Sequence, residues 1–248
     1  MDFGLEGRKA AVAASSGGLG FAAAAALAAE GAQVAICGRH AARVREAAER
    51  IDGDVVPLVA DVATTAGAVG FVEAAEEAMG RIDVLVANAG GPPPGTFEST
   101  PMEGYIDAVW LNLFSVVSMC MAAVPAMRGR GWGRVIAVTS MGVRQPIPGM
   151  IASNTARAGA SGFLKTLAGE AAPDGVTVNS VLPGTHATDR IRNMYGDDLS
   201  GLVGRIPVAK IGDPADFGSV VAFLASEKAG YITGAAISVD GGACAGLL

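Results

Sequence analysis

Lys9-Ala-Ala-Val-Ala-Ala-Ser-Ser-Gly-Gly-Leu-Gly-Phe-Ala-Ala-Ala-Ala-Ala-Leu-Ala-Ala-Glu-Gly31 is the stretch whose reading decides the fold. Residues 9–14 are an apolar run of strand length. Ser15-Ser16-Gly17-Gly18-Leu19-Gly20 is a glycine-rich turn, and the alanine-rich run after it is a helix with Gly31 placed to cap its end. A strand that turns through glycines into a helix brings backbone N–H groups and a helix N-terminus up to a phosphate. A glycine cluster alone is weak evidence in a chain with 35 glycines. Its weight comes from the elements that follow it.

The same alternation continues outward. Strands are predicted over 33–37, 54–59, 82–87, 134–139, 176–182 and 235–240. Helices are predicted over 40–51, 66–79, 102–128 with Pro125 near the end, through Ser153 to about 172, and 214–225 with Pro214 in the first turn. The strands are apolar throughout rather than alternating, which predicts a parallel sheet covered on both faces. We therefore expect one α/β domain over 1–248, Rossmann-like and doubly wound, with a mostly parallel seven-stranded sheet and an irregular lid at about 185–206.

Composition narrows the function classes. The chain has 248 residues, 51% hydrophobic and 17% charged, enough for a large core and unlike a disordered chain. A net charge of −6 argues against a nucleic-acid or anionic-membrane surface. Cys37, Cys120 and Cys244 are far apart and in no metal-like spacing, so free thiols are expected and no metal site. The N-terminal residues have no basic segment followed by an apolar run, and the run 21–29 is too short to cross a bilayer. The expectation is a cytoplasmic protein acting on a small molecule, with no nucleic acid and no membrane as partner.

A second stretch carries candidate chemistry. The strand over 134–139 delivers Ser140, a Pro/Gly-rich loop follows, and the next helix carries Ser153 and Arg157. Residues four apart share a helix face, so Ser153 and Arg157 should look where Ser140 looks. At the end of the second strand stands Gly38-Arg39, with no acid. An acid there suits the ribose 2′-hydroxyl of NAD, whereas Arg accommodates the 2′-phosphate of NADP, so a bound dinucleotide would be NADP in preference to NAD.

Taken together, these motifs resemble the short-chain dehydrogenase/reductase superfamily, particularly its β-ketoacyl-carrier-protein-reductase-like members, along essentially the whole chain. The family's Thr-Gly-x-x-x-Gly-x-Gly loop corresponds to residues 13–20. Gly18 and Gly20 match it, and Ala14 replaces the first glycine. The resemblance implies that Ala14, Ser16, Gly17, Gly18, Leu19 and Gly20 surround the cofactor phosphates, with Asp61-Val62 and Asn88-Ala89-Gly90 on the adenine side. It gives Asn112 a catalytic role and Pro183-Gly184 with Thr188 the nicotinamide carboxamide. Arg205-Ile-Pro207, Ile232-Thr-Gly234 and Asp240-Gly241-Gly242 match C-terminal landmarks of the family.

The departure lies in the catalytic helix. In the family a Tyr follows the Ser by thirteen residues and a Lys follows the Tyr by four. Those positions hold Ser153 and Arg157. An aliphatic hydroxyl is a far weaker acid than a phenol of pKa about 10, and Arg stays protonated. Three replacements for the proton donor are open: His186 at the start of the lid, Tyr195 within it, or a water held by Ser140, Ser153 and Asn112. The functions open at this point are an NAD(P)-dependent oxidoreductase of a carbonyl, alcohol or acyl thioester with an altered relay; a non-redox lyase or isomerase; and a non-catalytic paralogue. The non-redox case resembles the halohydrin dehalogenases, which share the Arg and use no cofactor. The family resemblance, with the small residues Ala158, Gly159, Ala160 and Gly162, also implies a homodimer or homotetramer.

Overall fold

The computed structural model describes residues 2–246. Seven strands, β1 (Lys9–Val12), β2 (Gln33–Gly38), β3 (Val55–Val59), β4 (Val84–Ala87), β5 (Gly133–Val138), β6 (Val176–Pro183) and β7 (Ala236–Val239), form one sheet in the order β3-β2-β1-β4-β5-β6-β7. Every pairing is parallel, where the sequence predicted a mostly parallel sheet. Each step between neighbouring parallel strands needs a crossover, and the helices supply it on both sides. The chain winds away from β1 in both directions, which puts the topological switch between β1 and β4.

The central strands are apolar on both faces because both are covered. Ala11, Cys37, Leu85, Val135 and Val178 point to one side, against α3 (Thr65–Met79), α5 (Ser115–Arg130) and α6 (Ile151–Ala171), whose Phe71, Met119 and Leu164 close that core. Val12, Ile36, Val86, Ile136 and Val181 point to the other side, against α1 (Gly18–Ala29), α2 (Ala41–Glu49) and α9 (Pro214–Ala225), where Leu27, Val44 and Phe217 pack. Fully burying a Phe or Leu contributes roughly 1.5–3 kcal/mol, so the two layers hold the sheet as one single α/β domain.

Two expected elements change form. The helix expected over 102–128 is α4 (Met102–Val109), a π-helical turn (Trp110–Phe114) and α5, which runs on past Pro125 to Arg130. A 3.6-residue apolar period cannot register one wide turn, since the stripe on either side keeps its face. The lid, expected to be irregular, contains two short helices, α7 (Asp189–Tyr195) and α8 (Ser200–Val203). They are too short to show an amphipathic period. The helical run Met102–Arg130 is also long and apolar enough to span a bilayer by length and composition, but half of its apolar window is buried in the fold. It packs as a core helix between the sheet, α3 and α6.

Candidate active site

Because all seven strands run the same way, their C-terminal ends share one edge of the sheet, where open α/β folds hold ligands. The glycine turn leaves β1 there, Arg39 leaves β2, Asp61 follows β3, Asn88 follows β4, Ser140 follows β5, and Gly184 to Thr188 follow β6. A cleft of about 1070 Å³ runs along this edge, lined by Ala14, Ser16, Arg39, Asp61, Val62 and Gly90 among others.

The glycine turn is built by close approach. Gly17 caps α1, and Phe21 is the first amide of the helix to find an intrahelical acceptor, at the Gly17 carbonyl. The preceding N–H groups of Gly18, Leu19 and Gly20 are left for a ligand, with the helix dipole behind them. Gly20 has no room for a side chain, since a Cβ would lie 2.6 Å from the Ala14 carbonyl oxygen. Ala14 keeps the left-handed backbone a glycine would adopt, with φ 46°. Its N–H donates to Cys37 Sγ at 3.3 Å, and its carbonyl accepts from Asn88 Nδ2 at 3.1 Å. Asn88 also donates to the Ala13 carbonyl, so this side chain ties the end of β4 to the glycine turn. Ala89 packs against the core beneath it.

On the β2–β3 side, Arg39 is joined at the cleft rim by His40 and by Arg43, one turn into α2. Asp61 Oδ1 accepts from the Ala63 N–H at 3.1 Å, which turns the chain there, and Val62 is buried against the core. On the β4–β5 side, the π-helical turn carries Asn112 inward. Asn112 is 3% exposed, and its Nδ2 donates to the Gly90 carbonyl at 2.8 Å. Its Oδ1 is buried and accepts from no group among the described residues. A buried acceptor without a donor costs about 1–3 kcal/mol, so this oxygen is poised for a water or a ligand.

Ser140 caps a short 3-10 turn, its Oγ accepting from the Gly142 N–H at 3.0 Å, which leaves its own O–H free to donate. Arg157 reaches from α6 to the end of β5 and donates Nη1 to the carbonyls of Val138 at 2.9 Å and Thr139 at 2.8 Å. Ser140 and Arg157 are thus brought to the same strand end. Ser153 is buried one turn earlier on the same face of α6, with no protein hydrogen-bond partner for its hydroxyl among the described residues. Burial lowers the Arg157 pKa to about 10, and the nearby charge of Arg190 adds to the shift.

The lid closes the other side. Pro183 ends β6, and the Gly184 N–H donates to the Val239 carbonyl. Thr188 caps α7 without spending its hydroxyl on the helix, and its methyl lies over Gly18. His186 is one of the three candidate proton donors that the sequence left open. It is 4% exposed, its ring packs edge-on to Phe217 at 5.4 Å between centroids, and Nδ1 is bonded to the Gly184 carbonyl. Desolvation lowers its pKa, against the raising effects of that carbonyl and of Asp213, Asp216 and Asp240. The imidazole is wedged against α9. Tyr195 ends α7 and is exposed.

These features have counterparts in known proteins. Residues 13–244 match the family model described as enoyl-(acyl carrier protein) reductase. The acetoacetyl-CoA reductase of Cupriavidus necator is 33% identical over 239 residues, 95% of this chain and 97% of its own. The 3-oxoacyl-(acyl-carrier-protein) reductase of Escherichia coli is 33% identical over 96% of this chain and 98% of its own. The chain belongs to the short-chain dehydrogenase/reductase superfamily. Among solved structures of this superfamily, the L-sorbose reductase of Gluconobacter frateurii, complexed with NADPH and L-sorbose, superposes with a TM-score of 0.93 at 32% identity and full coverage of both chains.

Sequence reasoning missed three features of this short-chain dehydrogenase/reductase site. Arg43 stands four residues after Arg39, a spacing that would have found it had α2 been taken to start at the cleft. The π-helical turn left no periodic mark. Arg190, two residues beyond Thr188, crosses from α7 to donate Nη1 to the Gly91 carbonyl and Nη2 to that of Pro92, each at 2.9 Å. Only the tertiary fold joins those segments.

Proposed function

We propose that the protein is a cytoplasmic NADPH-dependent reductase of a small carbonyl compound or acyl thioester, in which a water replaces the phenolic proton donor. The observation that carries this reading is the cleft itself. Its free helix-N-terminal amides stand ready for a diphosphate, and Arg39 and Arg43 line the rim where a 2′-phosphate would lie. Residues Ser16 to Gly20 would hold the phosphates, Asp61, Val62 and Gly90 the adenine side, Pro183 to Gly184 with Thr188 the nicotinamide carboxamide, and Arg157 the nicotinamide ribose. NADPH, when bound, supplies the hydride.

The chain's own groups do the rest. Ser140 donates its hydroxyl to the substrate oxygen, because its Oγ is already oriented by the Gly142 N–H. Asn112 Oδ1, the buried acceptor without a donor, and the unpaired Ser153 hydroxyl hold a water against that oxygen. The fixed water relays a proton to the developing alkoxide and regains one from solvent through the open cleft, so neither hydroxide nor a serine alkoxide is left behind. Arg157 gives up no proton; its charge stabilises the developing alkoxide. Lining the cleft, Trp110 reports on binding. Titration by tryptophan quenching is expected to show NADPH bound in preference to NADH. Failure of both to bind at millimolar concentration would remove the redox reading.

Self-association belongs to the same proposal. An apolar groove of about 390 Å³ lies open between α5 and α6, lined by Cys120, Met121, Val124, Pro125, Phe163 and Leu167, and supports a homodimer or homotetramer.

A further inference from the structure

The lid hangs from two necks and is fastened at one point. Before it, His186 pairs in parallel with Gly212: the Ala187 N–H donates to the Gly212 carbonyl at 2.9 Å, and the Gly212 N–H to that of Thr185 at 3.0 Å. After it, Ile206 is buried, and the Val208 N–H donates to the Gly241 carbonyl at 3.1 Å. Between these anchors no residue of 188–205 is buried. Apart from local bonds to its own necks, this segment makes only two hydrogen bonds to the domain among the described residues. Both come from Arg190, to the carbonyls of Gly91 and Pro92. Its ion pair, Arg192 with Asp189, stays within α7. A segment with so little buried contact opens at low cost, so the two Arg190 bonds decide how long it stays down.

The catch that receives Arg190 is rigid. Three prolines, Pro92 to Pro94, follow Gly91 and fix φ along the loop. Asn112 holds the Gly90 carbonyl on one side, and the Gly95 N–H donates to the Gly149 carbonyl at 2.7 Å on the other. Gly91 leaves the seat empty for the arginine, since a Cβ there would overlap its guanidinium. A planar guanidinium suits two consecutive acceptors because its donors are set in a fixed fork. The segment also crosses the cleft. The Thr188 methyl lies over Gly18 at the start of α1, while Gly91 lines the opposite wall. A dinucleotide seated on the free amides of α1 would lie beneath residues 188–190.

We propose that Arg190 is a positioning residue, the latch of the lid: its two bonds to the Gly91 and Pro92 carbonyls hold residues 188–205 down across the cleft, and NADPH enters and leaves when they break. The latch joins protein to protein, so it forms alike with and without cofactor. Its loss should speed entry and exit by the same factor and leave Kd nearly unchanged, whereas loss of a direct cofactor contact would speed exit alone. That NADPH is the molecule gated rests on the reductase reading above; the latch itself does not.

The test has two arms. In the first, hydrogen exchange of the α7 amides is followed in the cofactor-free protein. Arg190→Ala is expected to speed it about tenfold, the loss of a charge-assisted bonding pair, and Arg190→Lys to recover part of the protection. Gly91→Ala fills the seat from the other side and should speed exchange as Arg190→Ala does. Arg192→Ala, which breaks only the pair inside α7, should change it less than twofold. In the second arm, stopped-flow quenching of Trp110 gives the association and dissociation rates of NADPH. Both are expected to rise about tenfold in Arg190→Ala and to stay near wild type in Arg192→Ala. Unchanged exchange in Arg190→Ala, or an equal effect of Arg192→Ala, overturns the latch. Faster dissociation alone makes Arg190 a cofactor contact, and unchanged rates beside faster exchange show that the lid does not gate NADPH; either overturns the gate. Exchange that responds as expected in a protein that binds no NADPH would sink the reductase reading and leave the latch standing.

Discussion

At the scale of single residues, Ala14 and His186 make opposite points about what a side chain costs. Ala14 holds a left-handed backbone because the turn from β1 to α1 requires it, and Asn88 and Cys37 fix both of its peptide groups. The left-handed form costs an L-residue about 1–2 kcal/mol, and Gly adds about 0.4–1 kcal/mol of unfolded-chain entropy. Ala14→Gly is therefore expected to stabilise the protein by the difference, about 0.5–1 kcal/mol, measured as a rise in the urea midpoint. His186 is held below its ordinary pKa in the fold by burial. The unfolded chain then binds that proton more readily than the native state. Its stabilising contribution is complete above the ordinary pKa of about 6.5 and is lost as the pH falls from there towards the lower folded value. The urea midpoint should drop from pH 7 to pH 5, and His186→Gln should flatten part of that slope, whatever it does to the midpoint itself.

At the scale of elements, the π-helical turn Trp110–Phe114 decides where the site oxygen goes. One wide turn in a long core helix swings Asn112 under the Gly90 turn, where Nδ2 is satisfied and Oδ1 is not. Asn112→Ala should lower kcat about a hundredfold, in the range of lost acid–base catalysis, with a smaller change in NADPH affinity; an equal loss in both would make Asn112 a scaffold residue only. Much of this site was legible in the sequence. The thirteen- and four-residue spacings placed Ser140, Ser153 and Arg157, and the strand ends placed Arg39, Asp61 and Asn88. Arg190 and the π-helical turn were not legible. One acts across 98 residues of chain to Pro92, and the other changes hydrogen-bond register without changing the apolar pattern.

At the scale of the whole molecule, the two covered faces of the sheet leave the outer surface of α5 and α6 as an apolar region with no partner in one chain. Met121 is 71% exposed beside the groove there, and groups of this kind mark interaction surfaces. Light scattering at micromolar concentration should show a dimer or tetramer, and Met121→Glu should shift it towards monomer by placing a charge in the groove. A monomer in the wild-type protein would count against self-association.

The sequence by itself determined the alternation of elements, the parallel sheet and the spacing that sets Ser153 thirteen residues after Ser140 and Arg157 four after that. Apolar periodicity, glycine turns and fixed spacings are local properties, and a chain carries them before it folds. The tertiary structure alone decided that His186 is buried against Phe217, that Asn112 presents an oxygen without a donor among the described residues, and that Arg190 reaches the Gly91 and Pro92 carbonyls. Burial, hydrogen-bond satisfaction and charge proximity depend on segments far apart in the chain, and they have no value until the strand ends meet on one edge of the sheet.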